Sequence, residues 1–123
     1  MIADGKVVAS IAVSDIDKGK KFYGETLGLK QVDENPGGVT YDCGGNQLFV
    51  YPSPTAGSGQ ATCAFFEVSD FDESVDDLKN KGIELESYDM PGMDKETRVM
   101  TMGDMKAAWF KDTDGNILGV GSV

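Results

Sequence analysis

Histidine is absent from the 123 residues. With it go the usual general base near neutral pH and the commonest metal ligand, so any chemistry here must be built from carboxylates, tyrosines, lysines or cysteines. Basic residues are also scarce. Eleven Lys and Arg against twenty-one Asp and Glu give a formal charge of −10, a balance that repels a phosphate backbone or an anionic bilayer. Neither nucleic acid nor a membrane is an expected partner. The charge reads either as solubility or as a field that draws in a cationic ligand. No run approaches the roughly 18 apolar residues needed to span a bilayer, and the opening Met1-Ile2-Ala3-Asp4-Gly5-Lys6 lacks a signal-peptide layout, so a cytoplasmic location is expected. The two cysteines, Cys43 and Cys63, have no CxxC spacing. Both are expected reduced and packed.

What is present is an internal repeat. Val13-Ser14-Asp15-Ile16-Asp17 returns 55 residues later as Val68-Ser69-Asp70-Phe71-Asp72, each copy after a β-like run, Lys6 to Val13 and Thr62 to Val68. Asp15 and Asp70 are helix N-cap candidates, and Glu73 gives the second a capping-box spacing. Phe71, Val75 and Leu78 then share one helical face, and Gly82 is a stop. In the first helix Ile16, Phe22 and Tyr23 make a shorter stripe, with Lys18, Lys20 and Lys21 toward solvent. A second repeat, Asp42-Cys43-Gly44-Gly45-Asn46 and Asp112-Thr113-Asp114-Gly115-Asn116, lies 70 residues apart and marks a turn between two β-like runs in each half. Each half therefore reads as strand, helix, strand, hairpin. The larger second offset places extra residues in a loop at Tyr88 to Thr97, where methionines cluster, and this is the expected moving segment. The length fits a single domain, 1–123, with module one about 6–53 and module two about 61–123.

The Val-Ser-Asp start at 13 to 15, Phe22-Tyr23 followed by Leu27-Gly28-Leu29, and Phe110-Lys111-Asp112-Thr113-Asp114-Gly115-Asn116 resemble the vicinal oxygen chelate superfamily. That superfamily includes glyoxalase I, bleomycin-resistance proteins, fosfomycin-resistance transferases and extradiol dioxygenases. The resemblance implies an α+β fold of two βαβββ modules whose sheets curl around a cavity for metal and substrate, and a homodimer. It also implies metal ligands at positions that here are Val8, Cys63, Phe49 and Gly119. Valine, phenylalanine and glycine side chains offer no donor, so no metal and no other cofactor is expected. A carboxylate-only magnesium site supplied by Asp42, Glu67 or Asp112 is the alternative, set against the habit of turn aspartates to satisfy local amides.

Strand alternation extends the inward face from those positions to Ser10, Phe65, Glu67, Gln47, Tyr51 and Ile117. The opposite face, Val7, Ala9 and Ile11 with Ala64, Phe66 and Val68, is expected to pack under the helices. By resemblance Trp109 also faces the cavity, with Val39 as its counterpart in the first module. The expected ligand-binding set is Ser10, Tyr41, Phe49, Tyr51, Cys63, Phe65, Glu67, Trp109 and Lys111. Its rings either stack on a flat or apolar small molecule or simply fill space. Glu67 is the one catalytic candidate, partnered by Lys111, Tyr41 or a cationic ligand. Two functions follow: a metal-independent protein that sequesters an aromatic or cationic compound, or a lyase or isomerase working through Glu67 with Lys111 or Tyr41 and no metal.

Overall fold

The computed structural model describes residues 1–122, and the chain divides into two compact units at Ala56 and Gly57. The first unit holds β1 (Ala9–Val13), α1 (Ile16–Lys20), β2 (Lys30–Asn35), β3 (Gly38–Cys43) and β4 (Asn46–Pro52). The second holds β5 (Thr62–Val68), α2 (Phe71–Asn80), β6 (Met100–Met102), β7 (Met105–Lys111) and β8 (Ile117–Ser122). Their sheets run β1-β4-β3-β2 and β5-β8-β7-β6. In each, the first and last strands pair in parallel and the other neighbours are antiparallel. Each unit is a βαβββ module, the strand, helix, strand, hairpin order that the internal repeat predicts and the α+β class that the resemblance implies. No helix among the described residues is long and apolar enough to cross a membrane.

Local chemistry sets both helix starts. The Asp15 carboxylate accepts from the amides of Asp17 and Lys18, and the Asp70 carboxylate accepts from the amide of Glu73, relieving donors that have no partner in a first turn. At the end of α2 the Gly82 amide donates to the Lys79 carbonyl and the Ile83 amide to the Leu78 carbonyl, the paired bonds of a Schellman stop. Gly82 sits at φ +83°, which explains why glycine terminates this helix. Phe71, Val75 and Leu78 are buried as their spacing predicts.

The first helix departs from the expected regular one. After five α-helical residues it widens into a π turn over Lys21–Thr26, closed by the Leu27 amide on the Phe22 carbonyl. The wider turn carries Tyr23 into the core, fully buried, with its ring 5.1 Å from that of Phe22 and 6.5 Å from that of Tyr41. Gly19 lets α1 approach the sheet: a β-carbon there would lie 3.0 Å from a Val13 methyl and 3.3 Å from one of Val50.

Each sheet buries its helix-side face, and the second also covers Met100 and Ala107 on the opposite face. Ile11, Val13, Val39, Tyr41, Leu48 and Val50 are buried in the first unit, and Ala108, Phe110, Leu118 and Val120 in the second. Val7 is not among them. It precedes β1 and is 96% exposed, so the apolar stripe begins at Ala9 instead. In the second unit Asp112 and Asn116 hold the β7–β8 turn. One Asp112 oxygen accepts from the amides of Asp114 and Asn116 and the other from the Asn116 side chain, which itself accepts from the Gly57 amide. Asp112→Ala strands several of these donors in a buried turn and is expected to cost roughly 2 kcal/mol. Gly82→Ala, placing a β-carbon at positive φ, is expected to cost about 1 kcal/mol. Urea unfolding followed by circular dichroism measures both, and an unchanged midpoint for Asp112→Ala would show the turn network to be dispensable.

Candidate functional site

The face of each sheet away from its helix is where the chemistry can sit. In the first unit Ser10 lies opposite Phe49, and Phe49 opposite Thr40, so these three share a row. Tyr51, two residues on, is stacked on Phe49 with ring centroids 6.0 Å apart and planes inclined by 11°. Ser10, Phe49 and Tyr51 therefore stand on the open side.

Tyr41 does not. It pairs with Leu48 and is buried beside Tyr23, on the helix side of the sheet, and Val39 pairs with Val50 on that same side. The physical reason is hairpin length. Gly44 and Gly45, at φ +57° and +85°, make a two-residue turn, so Asp42 is still in the ladder opposite Gln47. In the second unit Asp112 lies inside a five-residue turn, and Lys111 is the residue opposite Ile117. Matching Asp42 to Asp112 slips β3 against β7 by one residue, and a one-residue slip exchanges the faces. Thr40, not Val39, is the counterpart of Trp109.

In the second unit Phe65, Gly119 and Trp109 share a row, with Glu67 one step along at Gly121 and Lys111 at the other end beside Ile117. Phe65 is 46% exposed, and Cys63 and Glu67 are exposed. Trp109 is half-buried because Tyr88, from the loop after α2, meets it edge-on at 5.9 Å. Tyr88 is a site neighbour that the sequence marks only as the start of that loop. The loop is stitched down. The Asp94 and Val99 backbones are bonded, the Asp94 carboxylate accepts from the Glu96 and Thr97 amides, and Arg98, at φ +62°, donates to the Leu85 carbonyl. Those two amide bonds hold the Asp94 carboxyl below its ordinary range.

Glu67 has neither expected protein partner. Lys111 pairs with Glu86 at 3.4 Å and lies four residues from the Glu67 row along β8, about 13 Å. Tyr41 faces a helix. Within the second unit, then, Glu67 and Lys111 are not brought together as an acid–base pair.

Nor do the residues fit a metal. Val8, Phe49 and Gly119 carry no donor, and no group of three His, Cys, Asp or Glu side chains that could hold an ion occurs among the described residues. The carboxylate-only alternative fails at Asp112, whose two oxygens are committed to the turn. At Gly119 a β-carbon would lie 2.5 Å from the Phe65 ring, so a ligating side chain there would have to displace that ring.

Two βαβββ modules, each with an open sheet face, define a glyoxalase-like class of α+β protein. Residues 6–120 match the profile of the Glyoxalase/Bleomycin resistance protein/Dioxygenase superfamily, and the chain belongs to it. Solved structures agree. A glyoxalase family protein from Bacillus anthracis is 20% identical with a TM-score of 0.75, over 96% of this chain and 93% of that one. A lactoylglutathione lyase from Agrobacterium tumefaciens is 19% identical at 0.70, over 96% and 92%. TnmS3, an antibiotic binding protein from Streptomyces sp. CB03234, is 25% identical at 0.71, over 96% and 95%. No curated protein sequence matches the chain.

Two side chains on or near these faces give direct tests. The Tyr41 hydroxyl is buried without a hydrogen-bond partner among the described residues, and burial pushes its ionisation above the ordinary tyrosine range. Tyr41→Phe removes an unsatisfied group and is expected to leave stability unchanged or raise it by up to about 1 kcal/mol. A loss of 2 kcal/mol in urea would reveal a bond to that hydroxyl. Cys63 is exposed, whereas Cys43 is half-buried with its thiol pushed up by burial and then by Asp42. Iodoacetamide at pH 8, read by peptide mass, is expected to label Cys63 well before Cys43.

Proposed function

We propose that the protein is a metal-independent small-molecule binder whose ligand is aromatic, cationic or both, held on the open sheet faces. The observation that carries this reading is the exposure of Phe65 beside Trp109, with a second ring pair, Phe49 and Tyr51, stacked on the corresponding face of the first unit. An exposed ring flanked by other rings offers stacking and area burial to a flat guest. The formal charge of −10 favours a cationic one. Similarity to an antibiotic binding protein supports the same class. The ligand-binding set is Ser10, Phe49, Tyr51, Cys63, Phe65, Glu67 and Trp109, with Lys111 at the edge. Glu67, exposed and without a bonded partner among the described residues, supplies the anion for a cationic guest. The reading includes a single domain over 1–123, a reduced cytoplasmic protein and a homodimer.

A thermal-shift screen of cationic and aromatic antibiotics is the direct test, since a ligand bound only to the folded state adds about 2.7 kcal/mol at a hundredfold excess over Kd. For a compound that binds, Trp109→Ala is expected to weaken affinity by roughly 1 to 3 kcal/mol with little salt dependence. Glu67→Gln is expected to lower both affinity and its sensitivity to ionic strength. The lone tryptophan reports binding by its emission. If no compound shifts either signal, the binding function is wrong.

A further inference from the structure

Phe65 and β8 fit each other in a way that the backbone alone does not require. A β-carbon on Gly119 would lie 2.5 Å from Phe65 Cδ2 and 2.9 Å from Cε2, and one on Gly121 would lie 2.5 Å from Cζ and 2.8 Å from Cε1. Two different edges of one ring therefore cover the two glycines, and the ring lies along the strand. Neither glycine has a positive φ. Any residue can adopt their conformation, and glycine in a strand interior is otherwise unfavourable. The ring accounts for the missing side chain at Gly119, and the ring together with the Lys106 carbonyl, 3.2 Å from a β-carbon there, for that at Gly121. The same β-carbon on Gly119 would be 3.2 Å from Trp109 Nε1, so the indole N–H borders the ring. The outer side of Phe65 stays open at 46% exposure.

We propose that Phe65 seated on Gly119 and Gly121 is a fixed aromatic floor that excludes a metal-ligating side chain from β8 and selects ligands presenting a flat ring, with Trp109 Nε1–H donating to an acceptor at the ring's edge. The floor and a carboxylate at position 119 compete for one volume, so the site recognises a ring face and not a chelating pair of oxygens. The ligand part rests on the small-molecule function proposed above; the packing part does not.

The test is a stability cycle joined to a binding titration. Gly119→Ala is expected to lower Tm by roughly 4 °C or more, because the new methyl displaces the ring. In a Phe65→Ala background the same change is expected to be neutral or to raise Tm, alanine being the better strand residue once the ring is gone. Proflavine is the planar cationic probe, followed by Trp109 emission, with spermidine as a cation lacking a ring and Zn²⁺ alone as the metal. Proflavine is expected to bind at least tenfold more tightly to the wild type than to Phe65→Ala or to Phe65→Leu, which keeps bulk but not the flat face. Additive Tm changes overturn the proposal, as does proflavine binding that Phe65→Leu leaves unchanged, or one Zn²⁺ per chain retained after dialysis. If neither proflavine nor any screened compound binds the wild type while the Tm coupling is present, the binding function fails and the packing of Phe65 on the glycine strip stands.

Discussion

Which side chains of β3 and β7 reach an open face is set by the register between β3 and β4 and between β7 and β8. A strand has two faces, and each sheet here has one helix to cover one of them. The pairing fixed at the hairpin decides which residues go under the helix and which remain outside. In the first unit two glycines at positive φ close the turn in two residues and send Val39 and Tyr41 beneath α1. In the second unit the longer turn, held by Asp112 and Asn116, sends Trp109 the other way. The buried Asp112–Asn116 network is thus a structural device with a distant effect, since it sets the facing of a ring five and more residues from its own amides.

The open faces solve the same packing problem with different residues. On a sheet face without a helix, a large ring must lie over something, and both units lay one over glycine. Phe65 covers Gly119 and Gly121, while a β-carbon on Gly38 would come within 2.8 Å of the Phe49 ring. A ring over bare backbone restores the contacts that glycine lacks and shields the strand's hydrogen bonds. The arrangement also leaves one side of each ring free. That is the property a binding surface needs and a closed core does not.

Much of this was legible in the residues. Asp15 and Asp70 mark the helix starts by capping chemistry, Gly82 marks a stop, and the alternation of β4 and β5 puts Phe49, Phe65 and Glu67 on the open side. What escaped had physical causes. Asp42 and Asp112 look alike, but one is a strand residue and the other a turn residue, because turn length is set by backbone conformation and not by composition alone. That single-residue difference put Tyr41 and Val39 on the wrong face. The π turn at Lys21–Thr26 is not written in periodicity, since one widened turn shifts the phase only after it has occurred. Tyr88 reaches Trp109 by tertiary placement of a loop, and the pairing of Lys111 with Glu86 depends on the Glu86 amide meeting the Trp109 carbonyl, neither of which has a local signature.

The strand order has a consequence in time. In each unit the strand made last, β4 or β8, lies inside the sheet between the first strand and the third. The β3–β4 hairpin is local and forms within microseconds, but β1 has no partner until a loop of nearly forty residues closes on Leu48 and its neighbours. During synthesis the first unit can complete its sheet once Pro52 has emerged, whereas β5 waits for β8. Phe65 and Phe66 therefore remain on an unpaired strand edge, over some fifty residues of chain growth, until Ile117 to Ser122 arrive. At ribosomal speeds of about 5–20 residues per second that interval is seconds long, and it is the period in which this chain is most open to association with others.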